Sequence, residues 1–182
     1  MKRLLIFSIL CLVGTVSMKA QETGQTWMGG GINFHVTSTD GHTNTSVGIS
    51  PEIGYKFADK WAIGTEISYT HRKQYYESYG DESYNNFRIA PFLRSYIVQK
   101  EWGSFFLDGS VHYSYSDFAD GVHTFGLGLQ PGVAIHLSER ISFISKLGWL
   151  GYSYSSFDDI NTHSAGLDLN LSQVTFGINI HF

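Results

Sequence analysis

Cysteine is nearly absent from this chain of 182 residues: the single one, Cys11, lies in an apolar stretch near the amino terminus. That stretch, Leu4 to Val16, follows a basic Met1-Lys2-Arg3 and precedes Met18-Lys19-Ala20 and Gln21, the layout of a secretory signal peptide cleaved after a small residue. It is shorter than the roughly 18 to 20 residues of a spanning helix. Residues 1–20 are therefore read as a leader and 21–182 as one mature domain. Ser8-Ile9-Leu10 lacks the small residue that a lipoprotein signal places before its cysteine. The mature chain then has no thiol, which excludes disulfides and cysteine-based metal sites.

Charge is also scarce, at 15% of residues where about 25% is usual. The 12 basic residues less Lys2, Arg3 and Lys19 leave nine against 16 acids, a mature net charge of −7, so nucleic acid is not an expected partner. Past the leader no apolar run is long enough for a membrane helix. If this chain meets lipid, it must do so as a closed barrel, because only then are all strand backbone groups paired. What the chain has in excess is aromatic side chains, 15%, and 20 glycines.

Proline occurs three times, at Pro51, Pro91 and Pro131, spaced forty residues apart. In Ile49-Ser50-Pro51-Glu52-Ile53, Ile89-Ala90-Pro91-Phe92-Leu93 and Leu129-Gln130-Pro131-Gly132-Val133 an apolar residue stands two before and two after each. A fixed period of this size marks a repeated supersecondary unit, and forty residues accommodate two strands, a short turn and a longer loop. The chain reads as a meander of β-hairpins.

Alternation recurs eight times, near Thr26 to Val36, Ser46 to Phe57, Trp61 to Arg72, Tyr84 to Val98, Trp102 to Tyr115, His123 to Leu137, Ile141 to Tyr152 and Gln173 to Phe182. Ala58-Asp59-Lys60, Gln99-Lys100-Glu101 and Ser138-Glu139-Arg140 are short connections; Thr37 to Thr45, Lys73 to Ser83, Ser116 to Val122 and Ser153 to Ser172 are long. Short turns at one end and long loops at the other is the layout of an outer-membrane barrel, with turns and both termini in the periplasm. One face of each strand is apolar, as with Val47, Ile49, Ile53, Tyr55 and Phe57. A soluble eight-stranded lipocalin shows the same pattern turned inside out. The polar face decides between them: it is rich in glycine, including Gly29, Gly48, Gly54, Gly64, Gly126 and Gly132, which suits a crowded interior and not a solvated surface. The apolar face carries aromatic residues at both ends, Tyr55, Phe57, Trp61, Phe105, Phe143 and Phe182 toward the turns and Phe34, Tyr69, Phe87, Tyr113, Phe125 and Trp149 toward the loops. Two such girdles mark membrane interfaces. Because a barrel has no edge and proline removes a ladder donor, a bulge or kink is expected at each proline.

From Trp27 to Phe182 the chain resembles the small eight-stranded outer-membrane β-barrel proteins of the OmpX and OmpA-barrel type. The resemblance rests on the Pro-centred strands, on Pro91-Phe92-Leu93-Arg94-Ser95-Tyr96 and on the ending Phe176-Gly177-Ile178-Asn179-Ile180-His181-Phe182. It implies an all-β, antiparallel, up-and-down transmembrane barrel in the outer membrane of a Gram-negative bacterium, monomeric, surrounded by lipid and lipopolysaccharide, with Phe182 read by the barrel-assembly machinery. Leu167-Leu169-Leu171 has the opposite parity to Val174-Phe176-Ile178, so a bulge or strand end is needed near Ser172.

Counted up from the short turns, Glu52, Glu66, Arg94, Asp108 and Lys146 fall on the inner face at one depth. Buried charges at one level are expected to pair, forming a plug in a lumen wide enough only for side chains. A gate, a proton path or a narrow pore for small solutes is the alternative. His112 and Ser114 share a face at a spacing that a base and nucleophile use, the basis of a third reading as a lipid A-modifying enzyme. With no orienting carboxylate in the pattern, no catalytic role, cofactor or metal is assigned. The loops are acidic, with Glu77, Asp81 and Glu82 in the second, and are read as solvated surface. Tyr75, Tyr76 and Tyr79 in that loop are candidates for contact with an extracellular protein, on a hairpin extended beyond the membrane.

Overall fold

The computed structural model describes residues 23–39, 42–76, 80–118, 121–157, 160–168 and 174–182; the expected leader, residues 1–20, and Tyr79 lie outside them. The described chain forms ten strands: β1 (Thr26–Thr39), β2 (His42–Ala58), β3 (Trp61–Tyr76), β4 (Gly80–Lys100), β5 (Gly103–Ser116), β6 (Val122–His136), β7 (Ile141–Lys146), β8 (Trp149–Phe157), β9 (Ile160–Asp168) and β10 (Thr175–His181). All pairings are antiparallel, and eight strands close a ring in the order β5-β4-β3-β2-β1-β10-β7-β6, with β6 returning to β5. β8 and β9 form a hairpin that carries the wall onward from β6. The stretch from Ser153 to Ser172, expected as a loop, is thus largely strand.

The alternation that left two folds open resolves through packing. Ile32, Phe34, Val111, Phe125 and Leu127 are each more than half exposed, while Glu52, Arg94, Asp108 and Lys146 are 5% exposed or less. A continuous apolar exterior of this kind is untenable in water and suited to hydrocarbon. β4 alone has 21 residues, roughly 70 Å at about 3.3 Å per residue. That far exceeds what a tilted spanning strand needs, so the β3–β4 hairpin projects beyond the apolar band, paired out to Tyr76↔Gly80.

Each proline keeps its partner on one side, as Gly30↔Pro51, Thr65↔Pro91 and Leu107↔Pro131. The missing donor faces the strand reached through the short turn. There the β2–β3 ladder passes from Ile49↔Tyr69 to Glu52↔Glu66, and β4–β5 from Ile89↔Tyr113 to Phe92↔Ser110, each with two pairs missing and the register unchanged. Bulges at Pro51 and Pro91 were expected; the register shifts instead near Phe57 and Ile97, between Lys56/Ala58 and Tyr96/Val98. An uninterrupted register keeps the charged inner face aligned across the proline, and the irregularity falls next to the turn.

At Pro131 the register does shift. Gly132 pairs with Lys146 of β7, yet Leu129 pairs with Leu150 of β8. The break falls at Leu147 and Gly148, where Gly148 has φ 62°, a conformation open to glycine, and Leu147 N–H donates to Pro131 O at 3.0 Å. This bulge reverses parity. Trp149, placed by alternation in the outer girdle, turns inward against Gly128 and Gly151 and meets His112 edge-on, ring centres 6.3 Å apart. β9 ends at Asp168 and β10 starts at Thr175; the bulge or strand end expected near Ser172 lies outside the described residues.

At the long-hairpin end Asp117, just past β5, accepts from the Asn85 backbone N–H and, at 2.7 Å, from Asn85 Nδ2. These donors, the backbone one foremost, hold its carboxyl below the usual carboxylate range. A lowered folded-state pKa makes the contribution present above the ordinary value near ~4 and lost as pH falls through the lowered one. Amide protection at Asn85, measured by hydrogen exchange, should drop on acidification, and Asp117→Ala should produce the same drop at neutral pH.

Candidate functional site

Strand alternation delivers one inward side chain from each neighbouring strand to the same level, and in this barrel the level is charged. Arg94 of β4 forms a two-point contact with Asp108 of β5, Nε to Oδ1 at 2.7 Å and Nη2 to Oδ2 at 2.8 Å, as their register pairing dictates. Its Nη2 also reaches Glu52 Oε1 of β2 at 3.4 Å. Lys146 of β7 arrives from the opposite wall, with Nζ 2.7 Å from Glu52 Oε2, 3.1 Å from Glu66 Oε2 and 3.4 Å from Asp108 Oδ2. Arg88, one level nearer the long hairpins, contacts Glu66 Oε1 at 3.2 Å. The structure therefore brings all five sequence-predicted lumen residues into one network, with Arg88 as the third base against three acids.

The charges sit in an aromatic and amide shell that alternation alone had hidden. Trp27 Nε1 donates to Glu52 Oε1 at 2.9 Å and Asn179 Nδ2 to the same oxygen at 3.0 Å. The Arg94 guanidinium lies 3.9 Å from the ring centre of Phe106 and 5.1 Å from those of Trp27 and Phe92, an arrangement that stabilises a desolvated cation. Trp27, Phe92, Tyr96, Phe106 and Ile144 form the buried apolar cluster. They were legible as large residues on the inner parity, but the glycine-rich average of that face masked them. The glycines make room for them: a Cβ on Gly54 would fall 2.1 Å from Trp27, and one on Gly132 2.4 Å from Phe106.

Below the charges, toward the short turns, Ser142 Oγ bridges His136 Nδ1 and His181 Nε2, each at 2.9 Å, and Lys56 Nζ donates to Gln99 Oε1 at 2.8 Å. The void beside the cluster, lined by Glu52, Glu66, Lys146 and neighbours, measures about 10 Å³, the room of roughly one water. Phe182 is tied to β1 through its N–H to Thr26 O, 2.8 Å, and its carbonyl to Thr26 N, 3.1 Å. Tyr75 and Tyr76 end β3, and Tyr79 lies outside the described residues. His112 and Ser114 both face inward with no hydrogen bond joining them, His112 Nδ1 being buried without a protein partner. Among the described residues no three His, Cys, Asp or Glu side chains gather as a metal site.

An antiparallel ring of eight strands with a lipid-suited exterior and a packed, ion-paired lumen defines a small membrane β-barrel. Comparison with known proteins identifies the family: residues 7–182 match the outer membrane protein beta-barrel domain, and the chain belongs to that family. It is an outer-membrane barrel protein. Among solved structures it is similar to the outer membrane protein OprG from Pseudomonas aeruginosa, at 13% identity and TM-score 0.58 over 91% of this chain and 99% of that one. It is also similar to Neisserial surface protein A, at 16% identity and TM-score 0.51 over 88% and 98%. At these identities the likeness is one of fold. No curated protein sequence matches the chain significantly.

Proposed function

We propose that this protein is a non-enzymatic, monomeric barrel of the outer membrane whose lumen is closed and whose long hairpins provide a surface for interaction. The observation that carries this reading is the filled cross-section at Glu52, Arg94, Asp108 and Lys146, where ion pairs and the rings of Trp27, Phe92 and Phe106 occupy the lumen. Residues 1–20 are the cleaved leader. The short turns and both termini lie in the periplasm, and Phe182 ends the strand that the assembly machinery reads. The paired β3–β4 hairpin, projecting past the apolar band to Tyr75 and Tyr76, is the surface offered to an extracellular protein ligand, with lipopolysaccharide around its base. Catalysis gains no support from His112 and Ser114, which lack both a mutual hydrogen bond and an orienting carboxylate.

The wild-type protein, reconstituted in planar bilayers, should show no stable conductance steps. A Glu52→Ala/Arg94→Ala/Asp108→Ala variant, with three large side chains removed from one level, should conduct if it folds. Stable steps from the wild type would replace this reading with a narrow pore for small solutes. Lipid A mass spectra of cells with and without the protein should be identical; a changed acylation pattern would establish an enzyme instead.

A further inference from the structure

Most strand glycines in this barrel have a common reason, which is that their Cβ positions are already occupied. An added Cβ would fall 2.1 Å from Asn179 at Gly29, 2.1 Å from Trp27 at Gly54 and 2.4 Å from Phe106 at Gly132. Gly166 in the β8–β9 hairpin is open, and within the closed ring Gly109 breaks this pattern. It faces outward, in register between Leu93 of β4 and Leu129 of β6, and a Cβ there meets nothing nearer than Leu129 Cδ2 at 3.5 Å. Interior packing does not require glycine at this position. Its effect is outside, where it omits a side chain from the apolar belt beside Pro91.

The omission leaves a groove on a surface that alternation would otherwise cover evenly. Two adjoining concavities of about 660 and 550 Å³ share Pro91, Val111 and Leu127. The first runs past Ile63, Leu93, Gly109 and Leu150, the second up to Tyr113, Phe125, Tyr152 and Tyr154. The floor is apolar throughout, and the groove climbs from mid-wall to the long-hairpin side. At that upper end the chemistry changes. Tyr113 Oη is 2.8 Å from His123 Nδ1, Tyr152 Oη bonds His163 Nδ1, and Tyr154 Oη donates to Asn161 Oδ1 at 2.7 Å. Tyr113 and Tyr152 thereby each orient an imidazole through Nδ1 and leave Nε2 as the remaining ring nitrogen.

We infer that this groove is a binding site for one outer-leaflet glycolipid, an acyl chain of lipid A lying over Gly109 with its phosphorylated sugar head at the Tyr113–His123 and Tyr152–His163 pairs. The apolar length favours a hydrocarbon chain, and polar groups at one end only call for an amphiphile. The proposed orientation, on which this inference rests, places that end at the outer leaflet. A headgroup rich in hydroxyl and phosphate oxygens matches two oriented imidazoles better than a single small phospholipid head does.

The test is native mass spectrometry of the protein extracted from outer membranes in mild detergent, with heat-modifiable gel migration run on the same samples. Wild type should retain one lipid A molecule, and Gly109→Leu, which fills the groove where space is open, should retain at least tenfold less with unchanged migration. Should that variant fail to fold, Val111→Phe narrows the same groove from the next outward position and should show the same loss. Tyr113→Phe with His123→Ala should weaken retention. Wild type without lipid A, equal retention in the filled variants, or retention of a diacyl phospholipid in its place would each overturn the site. Loss of heat-modifiable migration in the wild type would instead sink the membrane-barrel reading itself, so the two failures are distinguishable.

Discussion

Arg94→Met should lower the unfolding free energy of the barrel by about 3–5 kcal/mol, the range for removing one partner of a buried ion pair. The guanidinium compensates Asp108 through two contacts and Glu52 through a third, and both carboxylates are 3% exposed. Met preserves much of the packing against Phe106 while leaving Lys146 as the remaining cation beside Glu52 and Asp108. Lys in its place cannot reproduce a planar two-point contact, so Arg94→Lys should also destabilise, though less. The double variant Arg94→Met/Asp108→Leu removes one charge of each sign and should recover a large part of the loss. Urea unfolding in detergent micelles, followed by tryptophan fluorescence, reads all three. Equal midpoints for wild type and Arg94→Met would show that the cluster adds nothing to stability.

A second variant tests closure of the ring. Gly29 of β1 faces inward where β1 meets β10, and its Cβ position falls 2.1 Å from both Asn179 Oδ1 and the backbone oxygen of Ile178. Gly29→Val therefore cannot be absorbed by a rotamer change, since one obstacle is main chain. The two strands must separate at Gly29↔Asn179, and Asn179, displaced, releases its bond to Glu52. The destabilisation should reach or exceed the top of the roughly 1–3 kcal/mol range for overpacking, because ladder and charge network are disturbed together. Gly109→Ala, in the same kind of strand but with open space, is the control and should stay within about 0.5 kcal/mol. The fraction migrating as compact barrel before boiling reports both, and a normal fraction for Gly29→Val would show that β1 and β10 do not pack this closely.

The two glycines show where sequence reading stops. Both stand in alternating strands, and composition treats them alike. Gly29 is dictated by Asn179, 150 residues away, and Gly109 by nothing inside. The same limit hid Trp27, Phe92 and Phe106, whose inner parity was readable but whose partners were not. Trp149 was assigned to the wrong face because one bulge at Gly148 inverts every side chain after it, and a bulge opposite Pro131 leaves no local signature. Pro51 and Pro91 carry the converse lesson. Their missing donors do interrupt the ladder, but the register shift sits six residues later, beside the turn and not at the proline.

By itself the sequence determined the meander of hairpins, its forty-residue period, the inward parity of Glu52, Glu66, Arg94, Asp108 and Lys146, and a barrel in place of helices, because strand alternation and turn spacing are local properties of the chain. Only the tertiary structure decided that these charges meet in one network, that an aromatic shell encloses them, and which glycines are obligatory. Those facts depend on closure of β1 onto β10 and β5 onto β6, contacts whose geometry is set by the whole ring and by register shifts no short segment encodes.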